Sequence, residues 1–410
     1  MDAKEELETL VAHEGRAAGT DAERRASAHL VDRLASLGRD AWTEPLWVNP
    51  GVAPTHLLHG GIAVLGSVVS VTRPAVGALL LGLALASTLL DLSGRAFLLR
   101  RLTPRRASQN VVSTEGGEKP GTLVLLAHYD APRTGALFGP RMQRARALVG
   151  RPLGRPLGLV EVFVALMALC FGAALLRLGG VDNLVLTAVQ FVPTVGLILC
   201  LLLLAGVTVS EISPGASDNA SGVAVALRLA ERYGGTLEHF DLWLVLPGAQ
   251  ESGLLGMTRW LREHRPELDP RRTLFVGLNR MGTGTPRYAR REGFLRRRRY
   301  HGQLLSLCDE LSRDGSARAL PRASPSDAYA ARRRGFPAVA LSCADERGLT
   351  PHYHRVTDTP EHLDPLALHD AEAFAAALVE RIDERLGPSV AALDAEAATD
   401  GEGTKETLPG

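Results

Sequence analysis

Four long apolar runs constrain this chain more than any other feature of its sequence. They cover residues 57–72, 75–90, 159–176 and 184–209 and are almost free of charged side chains. A helix that crosses a bilayer needs about 20 apolar residues, a length that the third and fourth runs reach, whereas the first two are shorter and fit a tight hairpin. The alternative is four helices buried in a large core. We expect four membrane-spanning helices, because the remaining sequence supplies its own strands and helices for a core.

Arginines beside these runs predict how the helices are oriented. Two groups of five lie between the second and third runs, whereas the short turns within each pair of runs carry few charges. Lys and Arg near membrane helices favour the cytoplasmic side, so we expect this segment and both ends of the chain to be cytoplasmic. The two groups are Arg95, Arg100, Arg101, Arg105 and Arg106, and Arg141, Arg144, Arg146, Arg151 and Arg155.

Three further features agree with a cytoplasmic main domain. Residues 1–7 are acidic and lack an apolar core, so we expect no secretory signal. The four cysteines are far apart and form neither a disulfide framework nor a metal-binding pattern, which fits a reducing compartment. A net charge of +1 gives no indication of nucleic-acid binding. We expect an integral membrane protein in contact with membrane lipids and without a nucleic-acid partner.

Outside the apolar runs, strand and helix patterns alternate. Apolar strands that lie between helices are typical of a sheet buried on both faces. We therefore expect an α/β fold with a mixed, mostly parallel sheet, helices on both of its faces, and four inserted transmembrane helices. The expected strands lie near residues 122–127, 239–247, 273–279 and 337–343, and the expected helices near 5–37, 219–233, 253–265, 301–313 and 365–387.

Polar residues follow several of these apolar strands. A carboxylate held where a strand passes into a helix can bridge metal ions or cap the helix, and Asp218 stands in such a stretch, Pro-Gly-Ala-Ser-Asp-Asn-Ala-Ser-Gly. The other motifs, in chain order, are Arg16-Ala-Ala-Gly-Thr20, His128-Tyr-Asp130, Gln250-Glu251, Asn279 at a strand end, and Tyr353-His354-Arg-Val-Thr-Asp358-Thr359.

This ordered set resembles the co-catalytic zinc peptidases of metallopeptidase family twenty-eight. That family includes leucyl aminopeptidases, glutamate carboxypeptidases and, as a one-zinc branch, glutaminyl cyclases. The resemblance implies a zinc-aminopeptidase-like domain that is interrupted by two transmembrane hairpins. The implied parts are residues 1–50, 105–140 and 210–387 for the peptidase-like domain, 56–98 and 158–209 for the two hairpins, and 388–410 for a disordered tail.

The resemblance also implies roles for individual residues. One zinc ion would be held by Asp218, Glu251 and His354. A second would be held by Asp218, His128 and the residue at position 279. The supporting residues would be Asp130, which orients His128; Asp327, a candidate pocket acid; and Asp358 with Thr359, which brace the His354 loop.

Two positions depart from the family pattern. Gln250 stands where the family has the glutamate that acts as general base, and a glutamine has no group that can take up a proton. Asn279 stands where the family has an aspartate ligand, so the second metal site loses a negative charge. We therefore expect one zinc ion, with a second as the alternative.

The sequence leaves three hypotheses for function. The first is a membrane-anchored, zinc-dependent aminopeptidase-like enzyme that acts on a peptide or a small amide. The second is a catalytically impaired or inactive member of the family that binds or scaffolds, which Gln250 and Asn279 favour. The third, a one-zinc acyltransferase, is disfavoured because the glutaminyl cyclase branch also uses the missing glutamate. The arginines between residues 287 and 299 are either a solvated loop or a contact for anionic lipid headgroups.

The expected topology can be measured with reporter fusions. Reporters fused after Arg106 and after Gly410 should both have cytoplasmic activity, because four spans return the chain to the side that it left. An extracytoplasmic signal at either fusion point would contradict the orientation.

Overall fold

A mixed, mostly parallel eight-stranded sheet forms the centre of the molecule, as the computed structural model of the chain describes for residues 2–150, 158–293, 297–321 and 323–403. The strands are β1 (Ala41–Val48), β2 (Arg106–Ser113), β3 (Gly121–Leu126), β4 (Phe240–Leu246), β5 (Thr273–Asn279), β6 (Thr285–Ala289), β7 (Arg291–Glu292), β8 (Arg298–Arg299), β9 (Arg318–Leu320) and β10 (Ala338–Ala344). The sheet order is β1-β2-β4-β3-β5-β10-β6-β9, and β7 pairs with β8 apart from it. The α/β fold expected from the sequence is confirmed.

The four strands at the centre of the sheet, β4, β3, β5 and β10, are parallel. Their side chains are almost all buried on both faces of the sheet. This burial explains why the sequences of these strands are continuous apolar runs. The outer strands are less apolar. Pro45 in β1 is tolerated because β1 is an edge strand and loses no interior hydrogen bond there.

Helices cover both faces of the sheet and form a separate bundle. The helices are α1 (Ala3–Val11), α2 (Asp21–Ser36), α3 (Val52–Val69), α4 (Pro74–Leu92), α5 (Pro140–Val149), α6 (Leu159–Leu178), α7 (Leu184–Val209), α8 (Ser221–Tyr233), α9 (Leu255–Glu263), α10 (Gly302–Leu311), α11 (Asp327–Arg333) and α12 (Pro365–Gly403). Helix α12 continues past residue 388, where the sequence analysis placed the start of a disordered tail; residues 404–410 lie outside the described part of the chain.

Helices α3, α4, α6 and α7 form the bundle. Each is long and apolar enough to cross a membrane, by length and composition. Their interior contains small and polar side chains that pair with one another: Gln190 donates hydrogen bonds to the Ser67 carbonyl oxygen at 2.8 Å and to Ser70 Oγ at 2.9 Å. A Cβ atom on Gly77 would lie 2.3 Å from the Ser70 side chain, so glycine is required for the close approach of α3 and α4.

A buried ion pair joins the bundle to the sheet domain. Arg100, in the 3₁₀ turn after α4, lies 2.5 Å from an oxygen of Asp91 at the end of that helix, and both side chains are almost fully buried. The same guanidinium also donates to the carbonyl oxygen of Ser252. The end of α4 is therefore tied to the loop that follows β4.

Removal of one partner of this ion pair should strongly lower the stability of the protein. Arg100→Met should lower the free energy of unfolding by about 3–5 kcal/mol, because it leaves the Asp91 carboxylate buried without its partner. Thermal unfolding in detergent would measure the change, with Arg101→Met, at an exposed neighbouring position, as the control. The double variant Asp91→Leu/Arg100→Met should recover most of the loss. Equal melting temperatures for Arg100→Met and the control would contradict the pairing.

Candidate metal centre

The carboxyl ends of the parallel strands bring together the polar residues that the sequence analysis singled out. His128 follows β3, Gln250 and Glu251 follow β4, and Asn279 is the last residue of β5. His354 lies in the loop after β10. Ligands commonly bind at this edge of an open α/β sheet, so the fold itself places these side chains in one cleft.

Four side chains converge at the centre of the cleft. The two imidazoles lie on either side of Asp218: His128 Nε2 is 3.6 Å from Oδ1, and His354 Nε2 is 3.4 Å from Oδ2. His354 Nε2 is also 3.4 Å from Glu251 Oε2. Two ligand atoms bound to one tetrahedral zinc ion at about 2.0 Å lie about 3.3 Å apart. The spacing of these atoms therefore fits zinc ligation.

Unsatisfied polar atoms in the same place support a bound cation. Asp218 Oδ2 and His354 Nε2 are buried and have no hydrogen-bond partner among the described residues. Buried polar atoms normally have partners because leaving them unpaired is costly. Atoms of His128, Asp218 and Glu251 also lie within 4.8 Å of one another. The residues present thus fit a metal ion.

Electrostatic interactions make this cluster strongly coupled. Burial opposes protonation of His354, but Glu251 and Asp218 outweigh it and raise its pKa to about 9. Burial is likewise outweighed at His128, where Asp130 and Asp218 raise the pKa. The pKa of Asp218 is lowered because its contacts with the two imidazoles exceed the effect of burial. Protons and a metal ion would compete for the same atoms.

Asp130 connects two of the loops that form the centre. Its carboxylate accepts hydrogen bonds from the backbone N–H groups of Gln250 and Glu251, both at 3.1 Å, and its Oδ1 lies 3.3 Å from His128 Nδ1. One carboxylate therefore fixes the imidazole after β3 and the loop after β4, a geometry that suits the orienting role expected for Asp130.

Arg16 and Asp358 hold the loop of Asp218. The fully buried guanidinium of Arg16 donates to the carbonyl oxygens of Tyr129, Pro214 and Gly215 at 2.9, 2.6 and 2.7 Å. The Asp358 carboxylate accepts from the backbone N–H groups of Ser217 and Asp218 at 2.8 and 3.0 Å. The Arg16 motif and the Asp358 motif, at opposite ends of the sequence, thus fix the same carboxylate.

Glu23 is a supporting residue that the sequence analysis missed. It is buried and accepts hydrogen bonds from the Gly19 and Ala249 N–H groups and from Ser108 Oγ. Burial, and then the charge of Asp130, raise the pKa of Glu23 to about 8. The only signal in the sequence is the spacing of Thr20 and Glu23, which is typical of a helix capping box and does not reveal the contact with the loop after β4.

The two substituted positions and Asp327 lie in different surroundings. Gln250 and Asn279 both line the cleft. Asp327, the first residue of α11, is fully buried and is not among the described residues that line the cleft. Burial raises its pKa to about 7, and neither of its oxygens has a hydrogen-bond partner in the described part of the chain. The next residue, Ala328, packs close to Gly277 of β5. The charges of His128, Asp130 and Glu251 act on the Asp327 carboxyl group, so its role as a pocket acid stays a prediction.

Three cleft residues were given no role from the sequence. The Phe138 ring lies 4.5 Å from the His354 imidazole, and the Tyr353 ring stacks on that imidazole at 3.8 Å. The guanidinium of Arg280 lies 5.5 Å from the centre of the Tyr353 ring. Arg280 and His354 both have φ of 54°, a conformation that is strained for non-glycine residues and is concentrated at functional sites.

Comparison with known proteins gives a family match over part of the chain. Residues 204–379 match the model of Peptidase family M28. The match starts near the end of α7 and includes Asp218, Glu251 and His354. No curated protein matches the chain.

Solved structures similar to the whole chain include peptidases and cyclases. Glutaminyl cyclase from Tannerella forsythia has a TM-score of 0.55 at 13% identity, covering 92% of this chain and 97% of its own. A Zn-dependent exopeptidase from Parabacteroides distasonis ATCC 8503 gives 0.52 at 12% identity, covering 94% and 97%. A leucine aminopeptidase precursor from Bacteroides thetaiotaomicron VPI-5482 gives 0.53 at 12% identity, covering 92% and 96%. At these identities the likeness shows the fold. The M28 match covers Asp218, Glu251, Asn279 and His354 but not His128.

The metal centre predicts the zinc content of the purified protein. Wild type should hold about one zinc ion per chain, since a stable site needs three or four good ligands. Glu251→Ala should remove most of it, because Glu251 contacts His354 directly, and His128→Ala should remove less. His369→Ala, at an exposed position on α12, is the control. Elemental analysis would measure the ratio, and two full equivalents in the wild type would contradict the prediction.

Proposed function

We propose that this chain is a slow, membrane-bound metallohydrolase of the M28 type that cleaves amide bonds in peptides or small amides. A single zinc ion would be held by Asp218, Glu251 and His354. The observation that carries the proposal is the spacing of 3.4 Å between His354 Nε2 and the carboxylate oxygens of both Asp218 and Glu251. Asp218 Oδ2 and His354 Nε2 are also buried without a hydrogen-bond partner among the described residues.

Zinc in such a site supplies Lewis acidity, which polarises an amide carbonyl group. The chain's own residues do the remaining work. Asp130 and Arg16 hold the ligand loops in place, so the site is formed before the substrate binds. The rings of Phe138 and Tyr353 cover the His354 imidazole and exclude water from that side of the site.

We expect slow amide cleavage because position 250 is a glutamine and not a glutamate. A glutamine can hold a water molecule by a hydrogen bond, yet it cannot accept the proton that the water loses when it attacks. Loss of a general base costs about 10²–10⁴-fold in rate. Gln250 therefore also favours a second function, in which the chain binds an amide-containing ligand in the same cleft and releases it uncut.

The location is part of the proposal. Four helices of suitable length and composition would fix the chain in a membrane, and the arginines between the two helix pairs favour a cytoplasmic position for the M28 domain. The exposed arginines between residues 287 and 299 would contact anionic lipid headgroups. The chain would then bind its substrate at the cytoplasmic surface of the membrane.

A glutamate at position 250 would distinguish the hydrolase function from the binding function. Gln250→Glu should raise the rate of amide cleavage by about 10²–10⁴-fold, because the new carboxylate is nearly isosteric and stands beside a cation. The combination with Asn279→Asp should also recruit a second zinc ion. Cleavage of chromogenic amide substrates in detergent would measure the rates.

Gln143→Glu is the matched control, since Gln143 lines the same cleft away from the loop after β4. An equal gain in the control would show that added negative charge, and not the base, is responsible. A Gln250→Glu protein that holds zinc and cleaves nothing would support the binding function instead.

A further inference from the structure

The cleft of the metal centre continues along the membrane helices. It has a volume of about 1420 Å³ and contains His128, Asp218 and His354 in one part. Its other part is lined by apolar residues of the bundle, namely Leu89 and Leu90 of α4, Leu159 of α6, and Leu204 and Val207 of α7. A ligand could therefore reach the metal ligands with one end and the membrane helices with the other.

Short connections join the apolar part to the metal ligands. The side chain of Val207 fills the space beside Gly135, where a Cβ atom would lie 2.8 Å from Val207 Cγ2. Three residues after Gly135, the Phe138 ring contacts His354. Apolar side chains thus lie both at the end of α7, at Val207, and beside a metal ligand, at Phe138.

The charges in the cleft are predominantly positive. Among the described residues, nine arginines and four carboxylates line it. Asp91 and Glu161 are already paired with Arg100 and Arg297. The remaining two carboxylates, Asp218 and Glu251, belong to the metal centre. Once these four carboxylates are compensated, the surplus of arginine favours an anionic ligand and disfavours a free ammonium group.

Arg280 is the arginine best placed to bind that anion. It follows Asn279 directly, lines the cleft, and packs against Tyr353, which precedes the metal ligand His354. Its Nε is buried and has no hydrogen-bond partner within the described residues. A guanidinium group binds a carboxylate in a bidentate manner, so an anion on the ligand would pair with the terminal nitrogens of Arg280 beside the metal centre.

We propose that the cleft takes an N-acyl amino acid. The acyl chain would lie along α4 and α7, the amide would lie at the metal centre, and the carboxylate would pair with Arg280. The proposal rests on the proposed function and specifies its substrate. In the reaction, water adds its oxygen to the amide carbonyl carbon, the C–N bond breaks, and the nitrogen takes up a proton from that water, which gives a fatty acid and a free amino acid.

Binding can be tested separately from cleavage. N-dodecanoylglycine, its methyl ester and N-acetylglycine would be titrated into the zinc-loaded wild-type protein in lipid nanodiscs. N-dodecanoylglycine should bind about 10–100-fold more tightly than the ester, which cannot form the charged hydrogen bonds. N-acetylglycine, which lacks the chain, should bind more weakly as well. Equal affinity for the acid and the ester would overturn the proposal.

Variants of Arg280 test the carboxylate contact. Arg280→Gln should abolish the preference for the acid over the ester, Arg280→Lys should retain part of it, and Arg313→Gln, at an exposed position, should leave it unchanged. The zinc content of Arg280→Gln should equal that of wild type. A loss of zinc in this variant would overturn the proposal, because Arg280 would then act on the metal centre.

Variants of α7 test the position of the acyl chain. Thr208 lines the cleft, whereas its neighbour Val209 is exposed and is not among the described lining residues. Thr208→Phe should shift the preference towards shorter acyl chains, and Val209→Phe should not. An identical chain-length profile for the two variants would contradict a chain bound along α7.

Cleavage by the Gln250→Glu variant distinguishes the two proposals. Binding of N-dodecanoylglycine that depends on Arg280, without any cleavage, would leave the ligand class standing and refute the hydrolase function. Cleavage of peptides with a free N-terminal amine in preference to N-dodecanoylglycine would leave the hydrolase function standing and refute the ligand class.

Discussion

The buried charge of Asp218 is the constraint on which the rest of the site depends. A carboxylate out of contact with water is costly unless hydrogen bonds and opposite charges compensate it. Two imidazoles contact its oxygens, and the loop around it is fixed through the backbone by Asp358 and Arg16. These partners come from segments that are far apart in the sequence. The compensation of one charge thus requires the segment between α1 and α2, the end of β3 and the loop after β10 to meet.

The same requirement explains how two helical hairpins can be inserted into such a domain. Each hairpin leaves and re-enters the sheet domain beside a ligand loop: the end of α4 reaches the Glu251 loop through Arg100, and α7 ends nine residues before Asp218. Backbone hydrogen bonds between Thr134 and Glu211 and between Ser213 and Pro132 then fix the second insertion. The helices are therefore part of the cleft wall, and a change in their position would be transmitted to the metal ligands.

Much of this arrangement could be predicted from the sequence. Burial explains both which strands were predicted and which were not. Strands β4, β5 and β10 are buried on both faces, so their apolar runs are visible, and the polar residues at their ends mark the site. Strands β1 and β6 at or near the sheet edge have mixed patterns and were missed. Glu23 and Arg280 were missed because their roles depend on contacts across the fold, which no local pattern of residues records.

The substitutions at positions 250 and 279 have linked electrostatic consequences. An aspartate at 279 would be a ligand for a second metal and also a negative neighbour for the guanidinium of residue 280. With Asn279 in its place, the described residues leave Arg280 Nε buried and without an acceptor beside the metal centre. Under the proposed assignment, the cleft thus lacks a carboxylate where a second cation would bind, and the guanidinium of Arg280 lies nearby. A fixed guanidinium cannot activate water as a metal ion does, but it can bind a carboxylate on the ligand. If Asn279 and Arg280 act as proposed, this cleft has less of the charge that would support fast chemistry and more of the charge that would bind an anionic ligand.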